Sequence, residues 1–342
     1  MPHNSSRVTI YDVAKEADVA ISTVSRVLND SPDVAVGTRT RVLEVIEMLK
    51  FRPNRVAKSL AQPRSRVIAI AIPTFTTPFH NELLKGLRAV LANEDEDLLL
   101  FDLGSQDPIM RLRTKLKGGT VDGLLLGGIP VDPVLAKELK ALRAPVILVG
   151  HHHTQFDSFY WDNASGACAA TNHLIAMGHT RIGMIRAYTD SYLQLRRIEG
   201  YRQALAAHGL EYVEALVRSG TTEKHAGFSE EHGLEAMQRL LTLNPLPTAV
   251  LTSSDVQAIG AWKAIRDASK RVPSDIALVG YDDIKTSTFI GLSSVDQSIE
   301  STGRDAAERL LYRLQNPADP ERIDQRIVPE LRIRYSSQFT RQ

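Results

Sequence analysis

The chain has 342 residues, 43% of them hydrophobic and 24% charged, with a formal net charge of +1. That is enough for two or three domains with a substantial core. One cysteine, Cys168, excludes an intramolecular disulfide framework, and no run approaches the roughly 18 apolar residues of a membrane span. With a polar start, "MPHNSSR", that lacks an apolar signal-like region, these features lead us to expect a cytoplasmic protein. Charge is uneven. Residues 1–66 carry eleven basic and seven acidic side chains, a net +4 that leaves −3 on the remainder. From Lys50 to Arg66 there are six basic residues and no acid, which suggests a polyanion contact at this end.

The first 51 residues read as three short helices without a strand. Thr9 can cap a helix over "IYDVAKEA", whose Ile10, Val13, Ala14 and Ala17 share a face. "DV" at 18–19 forms a tight turn into "ISTVSRVLND" (21–30). There Val24, Val27 and Leu28 line one side, with Ile21 at its edge, and Ser22, Ser25, Arg26 and Asn29 line the other. The loop "SPDVAVG" precedes a third helix, "TRTRVLEVIEMLK", with Val42, Val45, Ile46 and Leu49 on one stripe. In "RPNRVAKSLAQPRSR", Pro53 permits a helix start and Pro63 closes the segment. The roughly eight residues between are too few for a helix that stands alone.

From Val67 apolar runs alternate with helical patterns: "VIAIAI" (67–72), "LLLFDL" (98–103), "DGLLLGG" (122–128) and "PVILVG" (145–150). Such runs predict strands buried on both faces of a parallel sheet covered by helices. A second set follows, "RIGMIRA" (181–187), "AVLTSSD" (249–255) and "DIALVGYDD" (275–283), so two α/β lobes are expected in series. The last part, "STGRDAAERLLYRLQN" and "RIVPELRIRY", reads as one helix and one strand joining one or both lobes.

Two helices joined by a short turn, the second with an exposed polar stripe, describe a helix-turn-helix whose second helix enters the major groove. Arg26 can pair with guanine through two hydrogen bonds, Ser22, Thr23 and Ser25 are short enough for close approach, and Asn29 can hold a phosphate. The other reading is a three-helix packing domain with a solvated face.

At these residues the chain resembles the lactose/galactose-repressor family of bacterial transcription regulators. "VTIYDVAKEADVAISTVSRVLND" and "TRTRVLEVIEMLKFRPNRVAKSLA" carry the likeness, and "DNASGACAATNHLIAMGHTRIGMI", "RIEGYRQAL", "SSDVQAIGAW" and "VPSDIALVGYDD" extend it over the whole chain. The resemblance implies an all-α helix-turn-helix DNA-binding domain plus an α/β periplasmic-binding-protein-like core of two doubly wound parallel-sheet lobes. The expected divisions are 1–52 for the DNA-binding domain, 53–65 for a hinge helix or linker and 66–342 for the core. Within the core, the first lobe spans about 66–163 plus part of 295–325. The second spans about 164–292 plus the C-terminal strand.

In the family, paired hinge helices of a dimer enter the minor groove, where a leucine from each wedges open the central step. Leu60 holds that position, with Asn54, Arg55 and Lys58 on the backbone and Ala57 near the groove floor; a plain basic linker is the alternative. Where the family commonly has Ser, this chain has Ala20 and Ala35; the loss of these hydroxyls is expected either to cost affinity or to shift the contacts to Thr9, Tyr11 and Thr38. Ile21 and Ser22 stand where the family varies with its operator.

Loops beyond the strand ends, "PTFTTPFH", "GHHH", "TSSD" and "GYDD", are expected to face each other across a cleft. By the resemblance an effector lies there, walled by Phe79 and His80 and held by Arg197 and Asp282, with Ser254 a weaker candidate. An acid, a base and an aromatic face suit a sugar or sugar derivative. Gly150 stands where many relatives have Asp. Asp255 reads as a helix cap. Adjacent histidines at 151–153 cannot converge on one ion, so neither metal nor cofactor is expected. The expected protein is a ligand-controlled regulator, most often a repressor. It would bind a pseudo-palindromic duplex operator as a homodimer, since "LRIRYSSQFTRQ" lacks the leucine heptads of a tetramer. A transport solute-binding protein predicts a signal peptide and no DNA-binding domain. An enzyme needs a positioned nucleophile or metal.

Overall fold

The computed structural model describes residues 8–28, 30–51, 66–92, 94, 96–104, 106–117, 121–188 and 190–338. The chain divides into two compact units, residues 1–65 and 66–342.

The first unit holds α1 (Ile10–Glu16), α2 (Ile21–Leu28) and α3 (Val36–Met48). Their apolar stripes meet in one core: Val13, Ala14 and Ala17 against Val24, Val27, Val42 and Val45, closed by Val34 and Phe51. Asp18 takes the left-handed conformation (φ 49°) that turns the chain between α1 and α2, a geometry Asp tolerates better than most residues. Arg39 binds the Asp30 carboxylate and the Ser31 carbonyl, which ties the loop before α3 to the helix.

In the second unit the first lobe runs β1 (Val67–Ile72), α4 (Pro78–Leu91), β2 (Asp97–Asp102), α5 (Pro108–Lys117), β3 (Gly123–Gly127), α6 (Pro133–Ala141), β4 (Val146–Val149) and β5 (Asp157–Trp161). The second lobe opens with α7 (Asn163–Ala176), β6 (Ile182–Ile185), α8 (Tyr192–Ala207), β7 (Val217–Arg218) and α9 (Glu230–Leu240). It continues with β8 (Ala249–Thr252), α10 (Asp255–Asp267), β9 (Ala277–Asp282), α11 (Lys285–Ile290) and β10 (Ser293–Asp296). The chain then returns through α12 (Ile299–Gln315), which packs on α4, to β11 (Asp324–Ile327) and β12 (Glu330–Arg332). The sheets are ordered β11-β5-β4-β3-β1-β2 and β12-β10-β9-β8-β6-β7.

The C-terminal "RIVPELRIRY" differs from expectation: it is two strands, one for each sheet. β11 runs parallel to β5, and β12 pairs antiparallel with β10. Pro329 lies between them; it has no N–H to donate, so a ladder cannot run through it. The chain therefore crosses between lobes three times, at 161–163, 296–299 and 327–330. The second crossing falls after β10, a few residues beyond the expected limit at 292.

A second difference concerns β2. It is not buried on both faces but forms the sheet edge, with Leu98, Leu99 and Leu100 exposed by 41%, 42% and 47%. β5, absent from the expected strands, begins at a buried carboxylate. Asp157 meets Arg309 at 3.1 Å and Arg313 at 2.6 Å, which clamps α12 to the first lobe. No helix among the described residues is long and apolar enough to cross a membrane.

Candidate nucleic-acid interface and ligand cleft

α2 buries Val24 and Val27 and presents Ser22 and Arg26 to solvent, with Thr23 and Ser25 half-buried and Ile21 41% exposed. Among the described residues, neither the Ser22 hydroxyl nor the Arg26 guanidinium has a hydrogen-bond partner. Their donors are open to a ligand. Tyr11 is 68% exposed, and Thr38 is half-buried. Thr9 is exposed but engaged: its N–H and hydroxyl donate to Asp12 Oδ2 at 2.8 and 2.7 Å. The Thr9 N–H foremost, then its hydroxyl, holds the Asp12 carboxyl below the usual range. The stretch therefore starts α1 by fixing Thr9 rather than by leaving its hydroxyl free. α3 has no such device, since Ala35 at its N-cap offers no side-chain oxygen. Ala20 holds the equivalent place before α2, accepting only through its carbonyl, from the Thr23 and Val24 N–H groups. First-turn N–H groups on both helices stay open, a natural seat for a phosphate oxygen. The expected contacts Asn29, Asn54, Arg55, Ala57, Lys58 and Leu60 lie outside the described residues.

Between the two lobes of the core lies a cavity of about 450 Å³. It sits beyond the carboxyl ends of the strands, where open α/β sheets bind ligands. Phe79, His80, Arg197, Ser254 and Asp282 all line it. Arg197, only 4% exposed, is held on every side. Its Nε donates to Asn163 Oδ1 (2.9 Å), its Nη1 to the Ser253 carbonyl, and its Nη2 to Gln297 Oε1 (3.4 Å). It stacks 3.7 Å above the Tyr281 ring and lies 3.8 Å from Asp282 Oδ1. Asp282 accepts from Gln297 Nε2 at 2.7 Å, and its φ of 112° is strained for a residue with a Cβ. Burial pushes its carboxyl well above the usual range, and the Arg197 guanidinium pulls it back. Arg334 holds the next residue, Asp283, with Nη1 and Nη2 at 2.5 and 3.0 Å, so the end of β9 is clamped in the bend that aims Asp282.

Ser254 lines the cavity, as expected, and is also the N-cap of α10, accepting from the Gln257 N–H. Asp255, expected to be the cap, is fully buried. It accepts from the Ile284 N–H (2.9 Å), Ser287 Oγ (2.6 Å) and Ser294 Oγ (2.5 Å), bracketing α11 to β10. Burial raises its carboxyl to about 7 despite those donors. Only glycine fits opposite it, because a Cβ at Gly280 lies 2.0 Å from Asp255 Oδ1.

Several lining residues were not singled out in the sequence. Asn163 and Gln297 occupy lobe crossings, and Trp161 Nε1 donates to the Gln297 carbonyl at 2.7 Å. Phe79 meets the Trp161 ring edge-on at 5.5 Å, and Phe228 lines the cavity from the second lobe. An aromatic after "HAG", facing the strand-end loops, was the available signal for Phe228. The three adjacent histidines diverge: His151 lines the cavity, His152 pairs with Asp324 at 3.2 Å, and His153 packs on Phe156. Burial lowers both His80 and His151 to about 4.

A helix-turn-helix unit followed by a two-lobed binding core defines a class, that of ligand-responsive DNA-binding regulators. Residues 9–54 match the family of bacterial regulatory proteins of the lacI type, and residues 171–337 match the periplasmic binding protein-like domain. Catabolite control protein A of Priestia megaterium is 32% identical over 327 residues, 94% of this chain and 96% of that protein. The structure of the transcriptional regulator CelR in complex with cellobiose has a TM-score of 0.69 and 32% identity, covering 96% of this chain and all of that one. That of the Lac repressor dimer bound to operator and the anti-inducer ONPF has a TM-score of 0.79 and 26% identity, covering 97% and 99%. The chain belongs to the LacI family and is a DNA-binding transcriptional regulator.

Proposed function

We propose that this regulator is a cytoplasmic repressor. It binds a pseudo-palindromic operator as a homodimer, and a sugar or sugar derivative held in the cleft controls its affinity for DNA. The observation that carries this reading is the pairing, in one chain, of an uncommitted polar stripe on α2 with a cleft between two lobes whose acid and base are already positioned. Arg26 reads base edges, with Ile21, Ser22, Thr23, Ser25 and Asn29 beside it. Tyr11 and Thr38 meet phosphates, and Asn54, Arg55, Ala57, Lys58 and Leu60 supply the minor-groove contact. Phe79 and His80 wall the effector, Arg197 and Asp282 orient it, and the cleft binds without turning its ligand over. The CelR complex with cellobiose and the Lac repressor dimer on its operator support the reading by likeness. So does the exposed leucine edge of β2, which a second copy would cover.

The test is fluorescence anisotropy on an operator selected by the wild-type protein from random duplexes, with and without each of a panel of sugars. Linkage requires that a sugar and the operator change each other's affinity by the same factor. Sedimentation should show a dimer. A monomer on DNA, or no sequence preference, overturns the reading.

A further inference from the structure

We infer that the effector is an uncharged glycoside of at least two sugar rings lying along the cleft, with His225 contacting the ring farther from Asp282. This rests on the sugar reading above and narrows it.

Length comes first. The cavity is lined from the ends of five adjacent strands of the first lobe, through Trp161, Gly150, Gly128, Pro73 and Asp102 in the sheet order β5-β4-β3-β1-β2. Four strand spacings make about 19 Å, whereas a pyranose with its hydroxyls covers fewer than two. Volume is compatible, since about 450 Å³ lies in the ordinary range of small-molecule sites.

Charge disfavours an anion. Among the described residues the charged side chains lining the cavity are Arg197, Asp282 and Asp102, so a phosphate or carboxylate meets a single permanent cation with two acidic side chains nearby. The cation is already engaged with Asn163, Ser253, Gln297 and Asp282. His80 and His151, lowered to about 4, add no positive charge at neutral pH. The lining instead offers uncharged hydrogen-bonding groups. Among the described residues the buried Ser191 Oγ has no partner.

The two ends of the cleft are distinct. Asp282, Asn163 and Gln297 belong to the side where the chain crosses between lobes. Thr76 follows β1 and His225 follows β7, on the opposite side of both sheets, and their side chains meet across the lobes at 3.4 Å. His225 and Ala226 are both left-handed (φ 51° and 57°), a strained pair pinned by Tyr188 N–H to the Ala226 carbonyl and by Gln257 Nε2 to the Gly227 carbonyl. Such strain persists where its surroundings enforce it and clusters at ligand clamps. Here it holds an imidazole over the far end of the cavity.

The experiment is calorimetry on the full chain with cellobiose, maltose, sucrose, lactose, melibiose and trehalose, beside glucose, galactose, fructose, ribose and glucose 6-phosphate. At least one disaccharide should bind tenfold or more tighter than every monosaccharide and than the phosphorylated sugar. His225→Ala should weaken that disaccharide about 5–30-fold, the range of one or two hydrogen bonds, while the protein still unfolds in a cooperative transition above the assay temperature. His225→Asn, which tolerates a left-handed backbone and keeps a polar tip, should recover part of the loss. A monosaccharide that binds as tightly, or glucose 6-phosphate binding tightest, overturns the two-ring neutral assignment and leaves the sugar reading standing. Full disaccharide affinity in His225→Ala overturns the role of His225. If no sugar binds or alters operator affinity, the sugar reading itself falls and this inference with it.

Discussion

The stripe on α2 and the floor of the cleft are both polar, and they are built in opposite ways. Arg26 is exposed and unpartnered among the described residues. Arg197 is 4% exposed and bonded to Asn163, Ser253 and Gln297. An open guanidinium suits a polyanion, which brings its own acceptors and expels water only when it arrives. A committed one suits a neutral ligand: buried polar groups are stable only when satisfied, and their fixed geometry then discriminates between hydroxyl patterns. One residue type is thus suited to two kinds of ligand, through exposure in one case and prior commitment in the other.

Removing the committed arginine should give the largest effect. Arg197→Ala leaves Asp282 buried without its cation and strips partners from Asn163 and Gln297. We expect a loss of about 3–5 kcal/mol in urea unfolding of the core, the range for breaking a buried pair. Asp282→Asn keeps the shape, so it should retain operator affinity and lose the response to effector. A loss below about 1 kcal/mol for Arg197→Ala would show that the cleft floor is not a committed network. Next comes the open arginine. Arg26→Ala should remove about 1–3 kcal/mol of discrimination at one symmetric base pair, measured by anisotropy on operator variants. Its unfolding free energy should stay within about 0.5 kcal/mol of wild type, as for a surface side chain. Intact sequence preference would break the comparison from the other side.

A pH titration sharpens it further. His80 and His151 are lowered to about 4 by burial from an ordinary 6.5, so the unfolded chain takes up protons first as pH falls. Their contribution to core stability is complete above about pH 6.5 and is lost as pH falls toward 4. Asp255, raised to about 7, works in the opposite sense: its contribution is full at low pH and is lost as pH rises through 7. The difference between proteins is therefore the informative quantity. His151→Asn should flatten the acid-side loss of melting temperature relative to wild type, and Asp255→Asn should steepen it. Parallel curves for wild type and His151→Asn would show that this imidazole is hydrated.

Much of the fold was legible because long apolar runs such as "VIAIAI" and "DGLLLGG" have little choice but to be buried strands. The rest was hidden for physical reasons. β5 and β10 are short, and their Asp157, Ser293 and Ser294 are polar yet buried, satisfied by partners distant in sequence, which no local pattern reveals. β2 was misjudged because its leucines resemble a central strand although the sheet ends there. In the cleft, Arg197 and Asp282 were legible through resemblance, whereas the capping of α10 by Ser254 rather than Asp255 turns on which residue starts the helix, a boundary that local sequence defines poorly. Asn163, Gln297 and His225 reach the cavity because the lobe crossings and the loop after β7 bring them there, and that placement is a property of topology alone.

The smallest expected effect tests whether the openness of the N-terminal unit is functional. α1 begins with Thr9 and Asp12 bonded to each other, while α2 and α3 begin at Ala20 and Ala35, which offer no side-chain oxygen. A serine at either position can accept a first-turn N–H. Ala20→Ser and Ala35→Ser should therefore each stabilise the unit by about 1 kcal/mol, seen as a rise in its melting temperature. The consequence for DNA separates two roles for those amides. If they seat phosphates, an intramolecular cap competes with the operator, and affinity should fall or stay level while stability rises. If affinity rises together with stability, the serine hydroxyl itself is meeting the phosphate. The alanines are then gaps in the contact surface, and the open first turns are no part of how this protein holds DNA.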